Sequence, residues 1–190
     1  MAMPSSTTRW TAAQVADELI VEGQPGRRYQ VVDGELIVTP RPGRNHQRLV
    51  REFFLRLHSH CRSHAIGELL FAPSDFRPDE FTLLKPDVLV VPLGRRAGPD
   101  MPRWFTTLLL AVEVLSPGNA RHDRVTKRRR YQSAGVECWI VDPDARTVDR
   151  WMPDDSRPEV LSEQLVWQPR PDLPPLEIDL TAPFADALDA

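Results

Sequence analysis

Residues 108–143, LLLAVEVLSPGNARHDRVTKRRRYQSAGVECWIVDP, decide the fold of this protein. The stretch opens with an apolar run that is typical of a buried strand and is interrupted by a single charged residue, Glu113. A Ser-Pro-Gly turn ends this strand, and Gly135 ends a helix predicted over residues 121–134. A second buried strand follows at residues 138–141. Strand, helix and strand together predict a right-handed βαβ unit with two parallel strands.

Segments before this unit add a hairpin and two helices. Thr11 and Gln14 have the spacing of a capping box and predict a helix that begins there. An Asp-Gly pair joins two β-prone runs, residues 29–32 and 35–38, and therefore predicts a hairpin. Asn45 is placed to cap a longer helix, whose apolar side chains recur three and four positions apart to about residue 64.

Short apolar runs predict further strands at residues 69–71, 86–91 and 147–152. The predicted fold class is therefore α/β in the mixed α+β sense: a central mixed β-sheet with an N-terminal β-hairpin and flanking helices. Residues 153–190 have little periodicity and many prolines, so we expect extended edge segments there.

Composition describes an ordinary globular chain. Its 190 residues suit one domain, and 24 basic against 27 acidic residues give a formal net charge of −3. The longest uncharged apolar run, residues 108–112, is far below the ~18 residues of a membrane span. The N-terminus lacks the apolar core of a secretory signal. Cys61 and Cys138 are too few for a disulfide framework, so we expect free thiols, a cytoplasmic protein and no membrane partner.

Charge is distributed unevenly along the chain. Residues 121–130 hold six basic residues and one acid, whereas residues 171–190 hold five acids and no base. The basic run could bind the phosphates of a nucleic acid, or it could simply be a solvated helix face.

Two carboxylates occupy segments that are otherwise apolar. Glu113 lies inside one predicted buried strand, and Asp87 opens another. Burying an ionised carboxylate costs several kcal/mol unless the group is paired or binds a cation. If the two strands are neighbours, a hard divalent cation such as Mg²⁺ would relieve the repulsion between the carboxylates. The alternative for each acid is a structural ion pair with an arginine.

Lys127 is the third residue of interest. It shares a helix face with Tyr131 and Ala134, which are the residues expected to pack on the sheet, so its side chain is predicted to point inward. A lysine there could orient or deprotonate a water, or stabilise charge that develops at a phosphorus centre. The alternative is an exposed pair with Asp123, worth only ~0.3–0.5 kcal/mol.

These residues resemble the PD-(D/E)XK nuclease superfamily and, more narrowly, the Uma-type family of restriction endonucleases. The segments that carry the resemblance are short, but they follow in order from about residue 29 to residue 151: Tyr29 with Asp33-Gly34-Glu35-Leu36, Pro42 with His46-Gln47, Lys85-Pro86-Asp87-Val88, Glu113-Val114-Leu115-Ser116-Pro117, Asp123 with Lys127 and Tyr131, Gly135-Val136, and Trp139-Ile140-Val141-Asp142-Pro143.

The resemblance implies a restriction-endonuclease-like core over residues 10–152, within a single domain of residues 1–190. It leaves residues 153–190 as a proline-rich, acidic extension that packs on the core or trails from it. Asp87, Glu113 and the carbonyl of Val114 would be the Mg²⁺ ligands, with Mn²⁺ expected to substitute. The superfamily places its lysine at the position of Leu115; the narrower family moves it to the following helix, which implies Lys127.

The resemblance also implies that Glu35 completes the catalytic acids, although an exposed glutamate on a strand is the ordinary alternative. Contacts to DNA would come from five basic side chains, each of which could instead be a solvent-facing residue: His46, Lys85, Arg121, Arg124 and Arg128.

The predicted function is therefore a Mg²⁺-dependent endonuclease acting on DNA, without an organic cofactor. One alternative is a catalytically inactive module of the same fold that binds DNA or a protein. Another is a nuclease for RNA or branched DNA. Cleavage of both strands would favour a homodimer, for which residues 104–110 and 160–167 are candidate interface segments.

Overall fold

The computed structural model describes residues 9–16, 27–94, 104–118 and 120–189. Within these residues, no helix is long and apolar enough to cross a membrane. The sequence predicts that the first helix ends at Gly23 to Gly26 and that residues 92–103 form a loop rich in proline and glycine. Residues 17–26 and 95–103 lie outside the described residues, so the structure does not test these two predictions there. The mixed α/β class is confirmed.

The N-terminal segment forms the predicted capped turn and hairpin. Helix α1 (Ala12–Gln14) starts with a complete capping box, because the Thr11 hydroxyl accepts from the Gln14 amide and the Gln14 side chain accepts from the Thr11 amide. Strands β1 (Arg27–Val32) and β2 (Glu35–Pro40) pair antiparallel. Asp33 and Gly34 both have positive φ, which is what a two-residue hairpin turn requires.

Two large sheets form the body of the protein. Besides β1 and β2, their strands are β3 (Gly67–Phe71), β4 (Asp75–Asp79), β5 (Thr82–Leu84), β6 (Val88–Pro92), β7 (Trp104–Phe105), β8 (Leu110–Val114), β9 (Glu137–Asp142), β10 (Thr147–Trp151) and β11 (Glu159–Leu161). The six-stranded sheet has the order β11-β10-β9-β8-β6-β3, and the five-stranded sheet has the order β2-β1-β5-β4-β7. Within the six-stranded sheet, β8 and β9 are parallel, which confirms the predicted βαβ unit.

Helices cover both faces of the six-stranded sheet. On one face lie α2 (Arg44–Ser63), the hairpin of β12 (Gln164–Trp167) with β13 (Leu176–Asp179), and α4 (Thr181–Leu188). On the other lies α3, which begins as a π-helical segment over His122–Lys127 and continues as an α-helix over Arg128–Ser133. Tyr131 of α3 is fully buried and stacks on Phe76 of the five-stranded sheet. The two cysteines are buried free thiols.

Two local predictions are wrong. Helix α2 begins after Gly43, so Asn45 lies inside the helix and does not cap it. The C-terminal region contributes extended strands, as expected, but it also forms α4, which the sequence patterns did not indicate. Its apolar side chains interleave with those of α2, and this tertiary packing stabilises a helix too short to be stable alone.

The candidate interface segments are only partly buried within the fold. Leu108 and Leu110 of the first segment and Leu165 and Trp167 of the second are buried in the core. Trp104, Val160 and Val166 are exposed. Intrachain packing therefore explains part of their apolar character, and the homodimer stays a prediction.

We expect Trp167→Ala to lower the free energy of unfolding by about 3–5 kcal/mol, because the indole is fully buried against Trp139 and its loss leaves a cavity. Urea unfolding would measure the change. The control is Val166→Ala on the same strand, whose side chain is 39% exposed and should change stability by less than about 1 kcal/mol. Equal losses of stability in the two variants would mean that the β12–β13 hairpin is not part of the core.

Candidate active site at the end of the central sheet

The two buried carboxylates lie close together at the ends of neighbouring strands. Strands β6 and β8 pair antiparallel; Asp87 directly precedes β6, and Glu113 lies near the end of β8. The Asp87 amide donates to the carbonyl of Val112, the residue before Glu113, at 2.9 Å. Both acids line one small cavity, and the negative charge of Asp87 raises the pKa of Glu113. The structure therefore brings these two acids together.

Asp87 is only 3% exposed and is held by three donors. Arg28 Nη1 donates to Oδ1 at 2.9 Å, the Val114 amide donates to Oδ2 at 3.0 Å, and His46 Nε2 lies 3.0 Å from Oδ2. Burial by itself would raise the pKa of Asp87, but the contacts with His46, Arg28 and the Val114 amide outweigh it and hold this pKa below its usual value. Asp87 is therefore an ionised, fixed carboxylate.

Glu113 is equally buried, at 2% exposure, and is oriented by helix α3. Lys127 Nζ donates to Oε2 at 3.1 Å, and the Tyr131 hydroxyl donates to Oε1 at 2.7 Å. Burial raises the pKa of Glu113; Lys127 lowers it in part, whereas the charges of Asp123 and Asp87 raise it further. Burial and the two acidic neighbours therefore favour the neutral form of Glu113 unless a further cation joins the site.

Lys127 points inward and is 4% exposed. Its Nζ lies 2.7 Å from Asp123 Oδ1 as well as 3.1 Å from Glu113 Oε2. The two sequence interpretations of Lys127 are therefore compatible: the pair with Asp123 forms, but it is buried instead of exposed. The π-helical segment that carries both residues is a feature often found at functional sites.

These groups surround one small polar cavity. Of the residues predicted from the sequence, it brings together Asp87, Glu113, Lys127, Val114 and His46. The other residues that line it are Arg28, Gln30, Thr39, Pro40, Pro42, Ser116 and Asp123.

Sequence reasoning missed two charged members of this cavity. Asp123 carries a signal in the sequence, its position four residues before Lys127, but that spacing predicts a partner at the surface. Arg28 carries no such signal: it lies near the start of the hairpin in a polar context, and only the packing of β1 beside the central sheet brings it to Asp87.

Other predicted site residues lie apart from the cavity. Glu35 is exposed at the turn end of the hairpin, paired with Val32 and about 13 Å along β2 from Thr39, which does line the cavity. Lys85 is buried, and its Nζ lies 3.8 Å from Asp75 Oδ1. Its backbone joins the site instead, since the Lys85 carbonyl accepts from Arg28.

Arginines of the basic run are mostly engaged within the protein. Arg124 binds Asp142 and Asp149. Arg128 lies over the ring of Trp151 at 4.2 Å and donates to Gln132 at 2.7 Å. Arg121 is exposed. The sequence leaves two interpretations of this run open, contact with phosphates and a solvated helix face. In the structure, ion pairs within the protein account for more of its residues than either interpretation does.

The cavity fits a hard cation. Three buried carboxylates, Asp87, Glu113 and Asp123, face two permanently cationic side chains, Arg28 and Lys127. Among the described residues, no group of three or more His, Cys, Asp and Glu side chains is arranged as a metal cage. Mg²⁺ does not need one, since it is commonly bound by one or two carboxylates with water and phosphate oxygens. Asp87 and Glu113 could hold it in that way.

Comparisons with known proteins identify the fold and the family of this chain. A structure of a protein from Anabaena variabilis, described as a "putative nuclease belonging to DUF820", matches with a TM-score of 0.72 at 19% identity, over 90% of this chain and 98% of that one. This likeness shows a shared fold. No curated protein matches the sequence. The sequence model of the Uma2 family, described as "Putative restriction endonuclease", matches residues 15–182. Because this match covers most of the chain, the protein belongs to the Uma2 family.

Proposed function

We propose that this protein is a Mg²⁺-dependent endonuclease that hydrolyses phosphodiester bonds of DNA. The observation that carries the proposal is the meeting of Asp87 and Glu113, at the ends of adjacent strands, with Lys127 in one buried cavity that has more carboxylates than permanent cations. The nuclease descriptions of the family and of the structural neighbour support the same reaction class. The family's description as a restriction endonuclease supports DNA as the substrate.

Each side chain has a role that follows from its contacts. Asp87 and Glu113, with the Val114 carbonyl, would hold the metal, which when bound polarises a phosphoryl oxygen and acidifies the attacking water. Arg28 and His46 keep Asp87 in position, and Tyr131 does the same for Glu113. Lys127 donates hydrogen bonds, so it would orient the water or stabilise the charge that develops on the phosphate.

The first test is whether the protein binds Mg²⁺ and cleaves DNA only when Mg²⁺ is present. We expect calorimetry to show Mg²⁺ and Mn²⁺ binding, supercoiled plasmid to be nicked or linearised, and EDTA to abolish cleavage, because the uncompensated acids need a cation to engage a phosphate. An RNA of the same sequence and a branched DNA serve as comparison substrates.

Failure of this test would have a specific meaning. If no metal binds even with DNA present, the buried acids are structural ion pairs and the protein is a binding module of the same fold. If the protein cleaved RNA or branched DNA in preference to plasmid, the assigned substrate would change but the assigned catalytic site would not.

A further inference from the structure

A second, larger cavity opens beside the catalytic one. It is a groove of about 650 Å³, a size typical of small-ligand sites. Three residues line both cavities, Arg28, His46 and Asp87, so a molecule in the groove would lie against the catalytic aspartate. None of the roles proposed above uses the rest of this groove.

One wall of the groove is apolar and partly aromatic. Val50 and Phe54 contribute from helix α2, and Phe71 contributes from the end of β3. The rings of Phe54 and Phe71 meet edge to face with centroids 5.2 Å apart. Phe71 is 57% exposed, which is unusual for so large an apolar side chain next to a buried site.

This wall is attached directly to the catalytic aspartate. The Ala72 amide donates to the Asp87 carbonyl at 3.2 Å, and Phe71 pairs with Val88 across the two strands. Phe71 lies with Val88 on the α2 face of the sheet, so its ring reaches the groove past the start of β6, where Asp87 lines the other side.

The rest of the groove carries positive charge. Arg28, Arg41 and Arg51 line it, and Asp87 is its single acidic residue among the described lining residues. Arg41 and Arg51 are exposed, and Arg51 forms an ion pair with Glu52 at 2.6 Å. His46 contributes a buried Nδ1 that has no hydrogen-bond partner within the described residues, so a polar ligand group could satisfy it.

An aromatic wall bordered by arginines is complementary to a nucleotide whose base is unstacked. Aromatic side chains bind bases by stacking, and arginines bind the phosphates on either side. Bases of an intact duplex cannot offer a face to Phe71, because each face is already covered by its neighbours in the stack.

We infer that this groove binds an unpaired nucleotide next to the scissile phosphate, so that the substrate is single-stranded or locally unpaired DNA. The inference rests on the proposed function, since it assigns the substrate form of that same site. Phe71 would supply the stacking surface, and Arg41 would contact a flanking phosphate.

The test measures binding separately from cleavage. Fluorescence anisotropy with a labelled oligothymidylate of about 12 nucleotides is compared with a duplex and with an abasic strand of the same length. Ca²⁺ replaces Mg²⁺ to slow turnover. We expect the oligothymidylate to bind about tenfold more tightly than either comparison ligand, and Phe71→Ala to remove most of that difference. The control is Leu55→Ala, whose side chain is 53% exposed outside the groove and should leave affinity unchanged.

Three results would overturn the inference: equal affinity of wild type and Phe71→Ala for oligothymidylate, equal affinity for the abasic strand, or no binding of any oligonucleotide. Plasmid cleavage without an effect of Phe71→Ala on binding would leave the endonuclease standing and remove the base pocket. If binding depends on Phe71 but no cleavage occurs in Mg²⁺, the base pocket would stand and the proposed endonuclease activity would be wrong.

Discussion

Asp87→Asn is expected to abolish both Mg²⁺ binding and DNA cleavage, with cleavage reduced by about 10³-fold or more. Asparagine keeps the size of the side chain but removes the negative charge that Arg28, His46 and the Val114 amide hold in place. One of the two adjacent carboxylates is then lost from the proposed metal site. Calorimetry with Mg²⁺ and a plasmid-nicking assay measure the two effects in the same preparation.

Asp154→Asn is the matched control, because Asp154 is exposed and remote from the cavity residues. It should bind Mg²⁺ and cleave like wild type, and thermal unfolding should confirm that Asp87→Asn is folded at the assay temperature. If a folded Asp87→Asn protein still cleaved at the wild-type rate, Asp87 would not be a metal ligand and the proposed site would be wrong.

Lys127→Met should separate catalysis from metal binding. We expect cleavage to fall by about 10²–10³-fold, because a donor that stabilises developing charge is lost. Mg²⁺ should bind at least as tightly as in wild type, because Asp87 and Glu113 remain and a competing cation has gone. Loss of Mg²⁺ binding in this variant would contradict the assignment of Lys127 as a separate, non-ligand group.

The same variant should be unstable without metal. Glu113 and Asp123 share Lys127 as a buried partner, and removing one partner of a buried pair costs about 3–5 kcal/mol. Burial already raises the pKa of Glu113, and loss of Lys127 raises it further. A raised carboxyl pKa gives stability that is present at low pH and is lost as the pH rises through the folded-state pKa. Because the pKa of Glu113 is already about 7 in the wild type, both proteins should lose stability in parallel below that pH, and the deficit of the variant should grow as the pH rises above about 7.

Urea unfolding in EDTA and in Mg²⁺ measures this stability effect. Mg²⁺ should recover part of the lost stability, because it binds the folded state and replaces the missing positive charge. Arg129→Met is the control: Arg129 is exposed on the same helix, so its loss should change stability by less than about 1 kcal/mol on either side of about pH 7. A Lys127→Met protein as stable as this control would mean that the buried ion pairs contribute nothing.

The central acids could be predicted because each breaks a strong local pattern. Glu113 is the one charged residue in an apolar strand, and Asp87 begins another such strand. Lys127 could be predicted because helical spacing links it to Tyr131. Because such signals involve only residues close in sequence, they can be recognised without knowledge of the tertiary fold.

The partners of these residues could not be predicted in the same way. Arg28 lies 59 positions before Asp87, and no local pattern marks it. His46, 41 positions before Asp87, is predicted as a contact to DNA, whereas in the structure it holds the Asp87 carboxylate. The resemblance implies Glu35, but the hairpin presents the opposite end of its strands, at Arg28 and Thr39, to the cavity. Strand register decides which end of a hairpin faces a neighbouring sheet, and register is a property of the packed fold.

Sequence alone determined the βαβ unit, the hairpin, the long amphipathic helix and the three residues that carry the proposed chemistry. Each follows from turn chemistry or periodicity within one segment. The tertiary structure decided the rest: that Asp87 and Glu113 line one cavity, that the Lys127–Asp123 pair is buried, that Arg124 and Arg128 are bound within the protein, and that residues 181–188 are helical. The physical reason is that desolvation and ion pairing depend on distances between strands and helices far apart in sequence, which no local pattern contains.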